Sequence, residues 1–495
     1  MQKKLIPEYK SHYGRLKNYI NGEWLESQSK NVLEVRNPAK NEIIAEVPLS
    51  TTEEVNLAVE AAKNAFQEWR ETPPLSRVRY LFKLKVLFEH HFEDIARIIV
   101  QENGKTIDEA RGSVRRTIEM IEVATGITTL MMGYSLEDGA ASEIDEEVIR
   151  QPLGVFTAIV PFNFPALVPY WFMPFAVACG NTYIIKPSEQ CPVTQNFLFN
   201  LIEEAGFPAG VVNLVNGSKD VVDALLAHPD IKGVSFVGST PVAKYIYATA
   251  AKYGKRVQCQ GGAKNCLVVM PDANLDRSIP NMINSFFGCA GQRCLAGSIL
   301  MPVGDIYEPL KKRFVEETKK IKIGYGLDEN VQMGPVVSKK SKDRILEYIK
   351  KGLDEGAKLI LDGRNVKVDD YPDGYFLGPS IFDEVTMDMT IAKEEIFGPV
   401  ICIIRAKSLD DAIEKIHRLP YGNAATIYTQ NGKHAREFRY RVQCGNIGIN
   451  VGLVAAMAYF PFGGYKDSFF GDLHGQGPDT INFFTERKVV ITRWF

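Results

Sequence analysis

The chain has 495 residues, of which 45% are hydrophobic and 24% charged. That length exceeds one compact core of ordinary size, so two or three domains are expected, and the composition is that of a globular protein, away from disordered and membrane chains. The 58 basic and 60 acidic residues leave a formal net charge of -2, which gives no reason to expect a nucleic-acid or anionic-membrane partner.

The N-terminal stretch MQKKLIPEYKSHYGRLKNYINGEW carries basic residues but no apolar leader core, and no stretch of the chain reaches the ~18 apolar residues of a membrane span. A cytoplasmic location is therefore expected. Thr51 with Glu54 three residues on forms a capping box, and Val55, Ala58, Val59, Ala62, Phe66 and Trp69 follow at helical spacing. The segment 132–151 is polar with strand-like patches, and with the C-terminal INFFTERKVVITRWF it is expected to form a small projecting sheet that pairs with another subunit.

From residue 155 onward VFTAIVPF, TYIIKPS, VVNLVNG and GVSFVGS read as buried strands separated by helix-length segments. Such a series predicts a parallel sheet of α/β class, with ligands beyond the carboxyl ends of its strands. Asn163, Lys186, Ser188, Gly217 and Gly238 each follow a strand and are expected to face one crevice. A second α/β region begins at NCLVVM and runs through SILMPV, the helical KKSKDRILEYIKKGLDEGAK and EEIFGPVICIIRA. In FVGSTPVAKYI, Gly238, Ser239 and Thr240 lie between strand and helix, where free N–H groups favour a phosphate; no G-x-G-x-x-G occurs.

The eight cysteines are scattered without a C-x-x-C pair, so neither a disulfide framework nor a metal site is expected. Most read as buried small apolar side chains. Cys294, in SFFGCAGQRCLAGS, stands among small and polar residues beside Arg293, which could supply part of the field a thiolate needs. PFNFP offers the Asn163 amide as a donor to an oxyanion.

PFNFP, IIKPSE, FVGST, GQRC and EEIFGPV, in this order over nearly the whole chain, resemble the aldehyde dehydrogenase superfamily. The resemblance implies a Rossmann-type NAD-binding domain over 1–131 and 152–265, an α/β catalytic domain over 266–470, and oligomerisation segments over 132–151 and 471–495, in a homodimer or homotetramer. It gives Cys294 the attack on an aldehyde, with Asn163 and the Cys294 N–H as the oxyanion hole. It also gives Phe162, Lys186, Ser188, Glu189, Gly238, Ser239, Glu395 and Phe397 to the cofactor, and the Glu189 carboxylate would repel a 2′-phosphate, favouring NAD over NADP. Where hydrolytic members carry a general-base Glu, QCQGGAKNC has Gln260, which cannot take a proton from water. The GAKN variant, with MPDANLDRSI, is similar to methylmalonate-semialdehyde dehydrogenases, which pass the acyl group to coenzyme A. The same similarity implies that Arg293 and Arg116, with Arg115 beside it as the alternative one residue away, hold a substrate carboxylate. A hydrolytic dehydrogenase of another short aldehyde and a silent protein keeping the fold are the alternatives. Ala243 in place of a common Gly, and GGYKDS where a Thr-Gly-Ser pattern is usual, are departures from the family.

Overall fold

The computed structural model describes residues 5–495, so the first four residues of the expected NAD-binding unit lie outside the described residues. Each predicted buried run forms a strand. Val155–Ile159, Thr182–Lys186, Val212–Leu214, Ile231–Val237 and Arg256–Gln260 are the five parallel strands at the heart of an eight-stranded sheet. Their side chains are buried almost throughout, as expected when helices cover both faces. Short antiparallel strands close both edges, Asn18–Ile20 and Glu23–Leu25 at one and Phe469–Phe470 at the other.

Strand order fixes where a ligand can enter. Val155–Ile159 is flanked by Thr182–Lys186 on one side and by Ile231–Val237 on the other. The connection after Val155–Ile159 runs to Thr182–Lys186 and the one after Ile231–Val237 runs the opposite way, to Arg256–Gln260, so the two loops part to open a crevice between them.

A second sheet has seven strands, with Asn265–Val269 between Gly297–Pro302 and Ala424–Tyr428, all parallel. Only residues 261–264 separate the end of Arg256–Gln260 from the start of Asn265–Val269. The carboxyl edge of the first sheet thus faces the amino edge of the second across a four-residue connection. The site lies in that seam.

Helix signals also hold. Thr51 caps Thr52–Glu71 with both halves of the capping box formed, and Thr106 with Glu109 does the same for Ile107–Thr125. Tyr134–Leu136, Ile144–Pro152 and Thr485–Arg493 make a three-stranded antiparallel sheet, with Tyr134, Leu136, Val489 and Ile491 exposed. The C-terminal strand begins later than INFFTERKVVITRWF suggests. Gly477–Phe484 is a helix whose Phe484 ring packs 5.0 Å from Phe156 and 6.1 Å from Tyr183; the gain from burying two phenylalanines overrides the strand pattern. Among the described residues no helix is long and apolar enough to cross a membrane.

Candidate active site

Of the eight cysteines, all free, only Cys294 is not fully buried. Its loop is tied to the amino edge of the second sheet: Asn265 Nδ2 donates to the carbonyls of Cys294 and Ala296, each at 2.8 Å, and Asn423 Nδ2 donates to the Cys294 carbonyl at 2.8 Å. Upstream, Cys289 and Ala290 take left-handed backbone conformations, both at φ 52°, and Cys289 N–H donates to Glu109 at 2.6 Å. At Gly291 (φ 72°) a β-carbon would stand 2.2 Å from the Gly398 carbonyl, so only glycine lets this loop touch the loop carrying Glu395 and Phe397.

Two cavities of about 540 Å³ each meet at Cys294, Asn163 and Val237. One is lined by the Asp108–Met120 face of its helix with Arg116, by Trp171, Leu453 and Phe462, and by Arg293. The other lies in the crevice between Val155–Ile159 and Ile231–Val237 and is lined by Pro161, Phe162, Gly238, Ser239, Glu395 and Phe397. Asn163 reaches both; its Nδ2 donates one hydrogen to the Gln292 carbonyl at 2.9 Å, which leaves the second N–H hydrogen for an acceptor beside Cys294.

The Cys294 thiol is held above its ordinary range. Burial pushes it up to about 12, and the Glu395 carboxylate adds to the shift. Arg293 opposes it, as expected, but is outweighed by burial and Glu395; its Nη2 donates to the carbonyls of Asn284 and Ser285. Its Nε is buried without a partner. Arg116 donates to Glu119 at 3.1 Å and to the Ala456 carbonyl, whereas Arg115 lies over the Phe92 ring at 5.1 Å, so of the adjacent pair it is Arg116 that lines the cavity.

On the crevice side, Ser239 precedes Thr240–Lys252 without capping it through its hydroxyl, leaving the first-turn N–H groups to a ligand. Glu395 accepts from Ala263 N–H at 3.0 Å, and burial raises its carboxyl to about 7. Phe162 and Phe397 meet edge to face at 5.9 Å. Arg344 donates to the carbonyls of Glu395 and Ile396 at 2.6 and 2.9 Å and holds that loop.

The crevice expected to gather five strand-end residues gathers two in its cavity wall, Asn163 and Gly238. Lys186, Ser188 and Gly217 follow strands on the far side of Val155–Ile159 and do not line it. Lys186 is buried and donates to Glu189 at 3.1 Å. Gln260 lines neither cavity. It is 3% exposed, neither amide atom has a partner, and a β-carbon on Gly475 would lie 3.2 Å from its Nε2. Sequence reading missed Gln292, Asn265, Asn423, Trp171 and Phe462. Asn265 stands inside the quoted GAKN, where its side-chain role could have been asked; Asn423 has no local signal.

Residues 24–490 match the aldehyde dehydrogenase family. Malonate-semialdehyde dehydrogenase 2 of Geobacillus kaustophilus (strain HTA426) is 50% identical over 480 residues, 97% of this chain and 99% of its own. The crystal structure of methylmalonate-semialdehyde dehydrogenase from Oceanimonas doudoroffii superposes with a TM-score of 0.95 at 42% identity, covering 98% of this chain and 99% of that one. The NAD+ complex of aldehyde dehydrogenase from Bacillus cereus gives 0.92 at 34% identity, covering 97% of each.

Proposed function

The chain belongs to the aldehyde dehydrogenase family, and on that premise we propose that it oxidises malonate semialdehyde or its methyl derivative with NAD and passes the acyl group to coenzyme A. The observation that carries this reading is the junction: one thiol and one amide stand where a cavity holding two arginines meets a crevice suited to a dinucleotide. Residues 1–131 and 152–265 would form the NAD-binding unit and 266–470 the catalytic unit that carries Cys294, with both units contributing to each cavity wall.

The crevice fits NAD. Uncapped N–H groups after Ser239 suit a pyrophosphate, and outside the crevice wall Glu189, three residues past the strand that ends at Lys186 and paired with that lysine, would meet ribose hydroxyls. Glu395 and Phe397 would hold the nicotinamide half. When bound, NAD accepts the hydride. The chain's own part begins with Cys294 Sγ, which gives its proton to solvent as it adds to the aldehyde carbon, while the free N–H of Asn163 and the Cys294 N–H receive the developing oxyanion. Arg116 and Arg293 would fix the substrate carboxylate, a charge-assisted contact that a simple aliphatic aldehyde cannot make. Loss of hydride leaves a thioester on Cys294. Gln260 offers no base to activate water, whereas the coenzyme A thiol is itself a competent nucleophile, so transthioesterification returns the free thiol and releases acyl-CoA.

Two exposed strands, Tyr134–Leu136 and Thr485–Arg493, edge the three-stranded sheet and carry apolar side chains, which supports an assembly of more than one subunit.

The test is NADH formation from malonate semialdehyde with and without coenzyme A. A burst followed by slow turnover, relieved by coenzyme A with acyl-CoA as product, is expected, and Gln260→Glu should speed turnover without it. Rapid carboxylate release with no acyl-CoA on addition would replace this reading with a hydrolytic enzyme.

A further inference from the structure

Lys105 is 2% exposed and among the largest buried side chains. It lies in the break between Phe92–Asn103 and Ile107–Thr125, where Gly104 turns the chain at φ 89°. That break is held from both sides: a β-carbon on Gly104 would stand 2.8 Å from Pro38 and from Pro335, and one on Gly334 would stand 1.8 Å from the Gly104 carbonyl. The segment therefore delivers its side chains to fixed places.

They go to one target. Asn103 Nδ2 donates to the Phe162 carbonyl at 3.0 Å, Lys105 Nζ donates to the Asn163 carbonyl at 2.7 Å, and the ammonium lies 3.9 Å over the ring of Phe164. Three successive residues of PFNFP are thus held by two residues of the turn. The buried Glu102 gives its oxygens to the N–H groups of Val193 and Thr194 at 2.7 and 3.0 Å rather than to Lys105, whose charge it feels without a direct hydrogen bond.

Burying an ammonium is costly when a single carbonyl and a ring are its near partners, and a methionine would fill the space without that cost. A neutral donor would satisfy the carbonyl. What the lysine adds is a positive charge directly behind the residue that receives a developing negative one, in surroundings where charges are weakly screened. We propose that Lys105 is a positioning residue of the oxyanion site, fixing Asn163 through its carbonyl and backing it with a buried charge. The inference rests on the reading of Asn163 as oxyanion donor.

First-turnover NADH formation separates the two in a double-mutant cycle. Asn163→Ala alone reports on the oxyanion reading; if it runs at the parent rate, that reading and this inference fall together. Lys105→Met should slow the first turnover by about 10–100-fold, the usual cost of removing a group that orients a reacting one, with NAD affinity unchanged. In the Asn163→Ala background the same substitution should cost almost nothing further, since its effect passes through Asn163. A lysine that merely stabilises the fold would lower the melting temperature and slow both backgrounds equally; that additivity, with Asn163→Ala itself slow, overturns the Lys105 assignment alone. Lys105→Gln, which keeps a donor and removes the charge, carries the same cycle if Lys105→Met does not fold, with an intermediate loss expected and a parent-like rate counting against the charge.

Discussion

The two cavities that meet at Cys294 have the same volume, about 540 Å³, and walls of different origin. The crevice wall comes from short continuous runs, Pro161–Asn163, Val237–Pro241 and Glu394–Phe397 less Ile396, which sit at strand ends and loops where backbone and side chains work together. The arginine-bearing wall is assembled from more elements, the faces of the helices Ile107–Thr125, Leu167–Tyr170 and Leu275–Phe287, the segment that carries Arg293 and Leu295, and the loop through Leu453 and Phe462. A dinucleotide presents the same phosphates and riboses to any protein, so a strand-end loop and a helix N-terminus suffice. An aldehyde is chosen by the shape and charge of one small chain, and that is set by whichever side chains converge.

If the junction belongs equally to both cavities, Cys294→Ser should abolish NADH formation from every aldehyde while leaving NAD affinity intact, because a serine hydroxyl ionises far above neutral pH and is a much weaker nucleophile than a thiol. Turnover near the parent rate by the folded variant would remove Cys294 as the shared element. Asn163→Ala should cost roughly 10²–10³ in the first-turnover rate, the usual loss of one oxyanion donor; loss of NAD binding instead would assign Asn163 to the crevice alone.

The arginine side should break selectively. Arg116→Leu and Arg293→Leu are each expected to raise KM for a carboxylate-bearing semialdehyde by about 10–100-fold, corresponding to the ~1.5–3 kcal/mol of a charged hydrogen bond, with a simple aliphatic aldehyde nearly unaffected. Equal losses for both substrates would show that these guanidiniums serve only the carbonyls of Asn284, Ser285 and Ala456 that they already touch. The smallest effect lies on the crevice side. Glu395 raises the Cys294 thiol, itself at about 12, so Glu395→Gln removes a negative charge that disfavours the thiolate. Alkylation by iodoacetamide at a fixed, mildly alkaline pH should become faster, and the parent rate should keep climbing through the alkaline range without a plateau. A slower variant would reverse the sign of this coupling.

Much of the molecule was legible before its structure. Buried apolar runs placed the strands, and the capping box at Thr51 placed the first long helix. Those signals are local, carried by backbone hydrogen bonding and side-chain spacing within a few residues. Cys294 and Asn163 were legible because their loops are motifs.

What the sequence determined by itself was therefore the set of elements, the α/β class and the residues able to do chemistry. Tertiary structure decided three other things. It set Val155–Ile159 beside Ile231–Val237, which left Lys186 and Gly217 outside the crevice wall. It turned Phe469–Phe470 onto the edge of the first sheet and wound Gly477–Phe484 into a helix against Phe156. And it brought Lys105 behind Asn163, 58 positions away in the chain, and Asn423 under Cys294, 129 positions away. Each is a contact between segments whose separation no short-range pattern encodes, and each is fixed by burial and by the demand that buried polar groups find partners once the chain is compact.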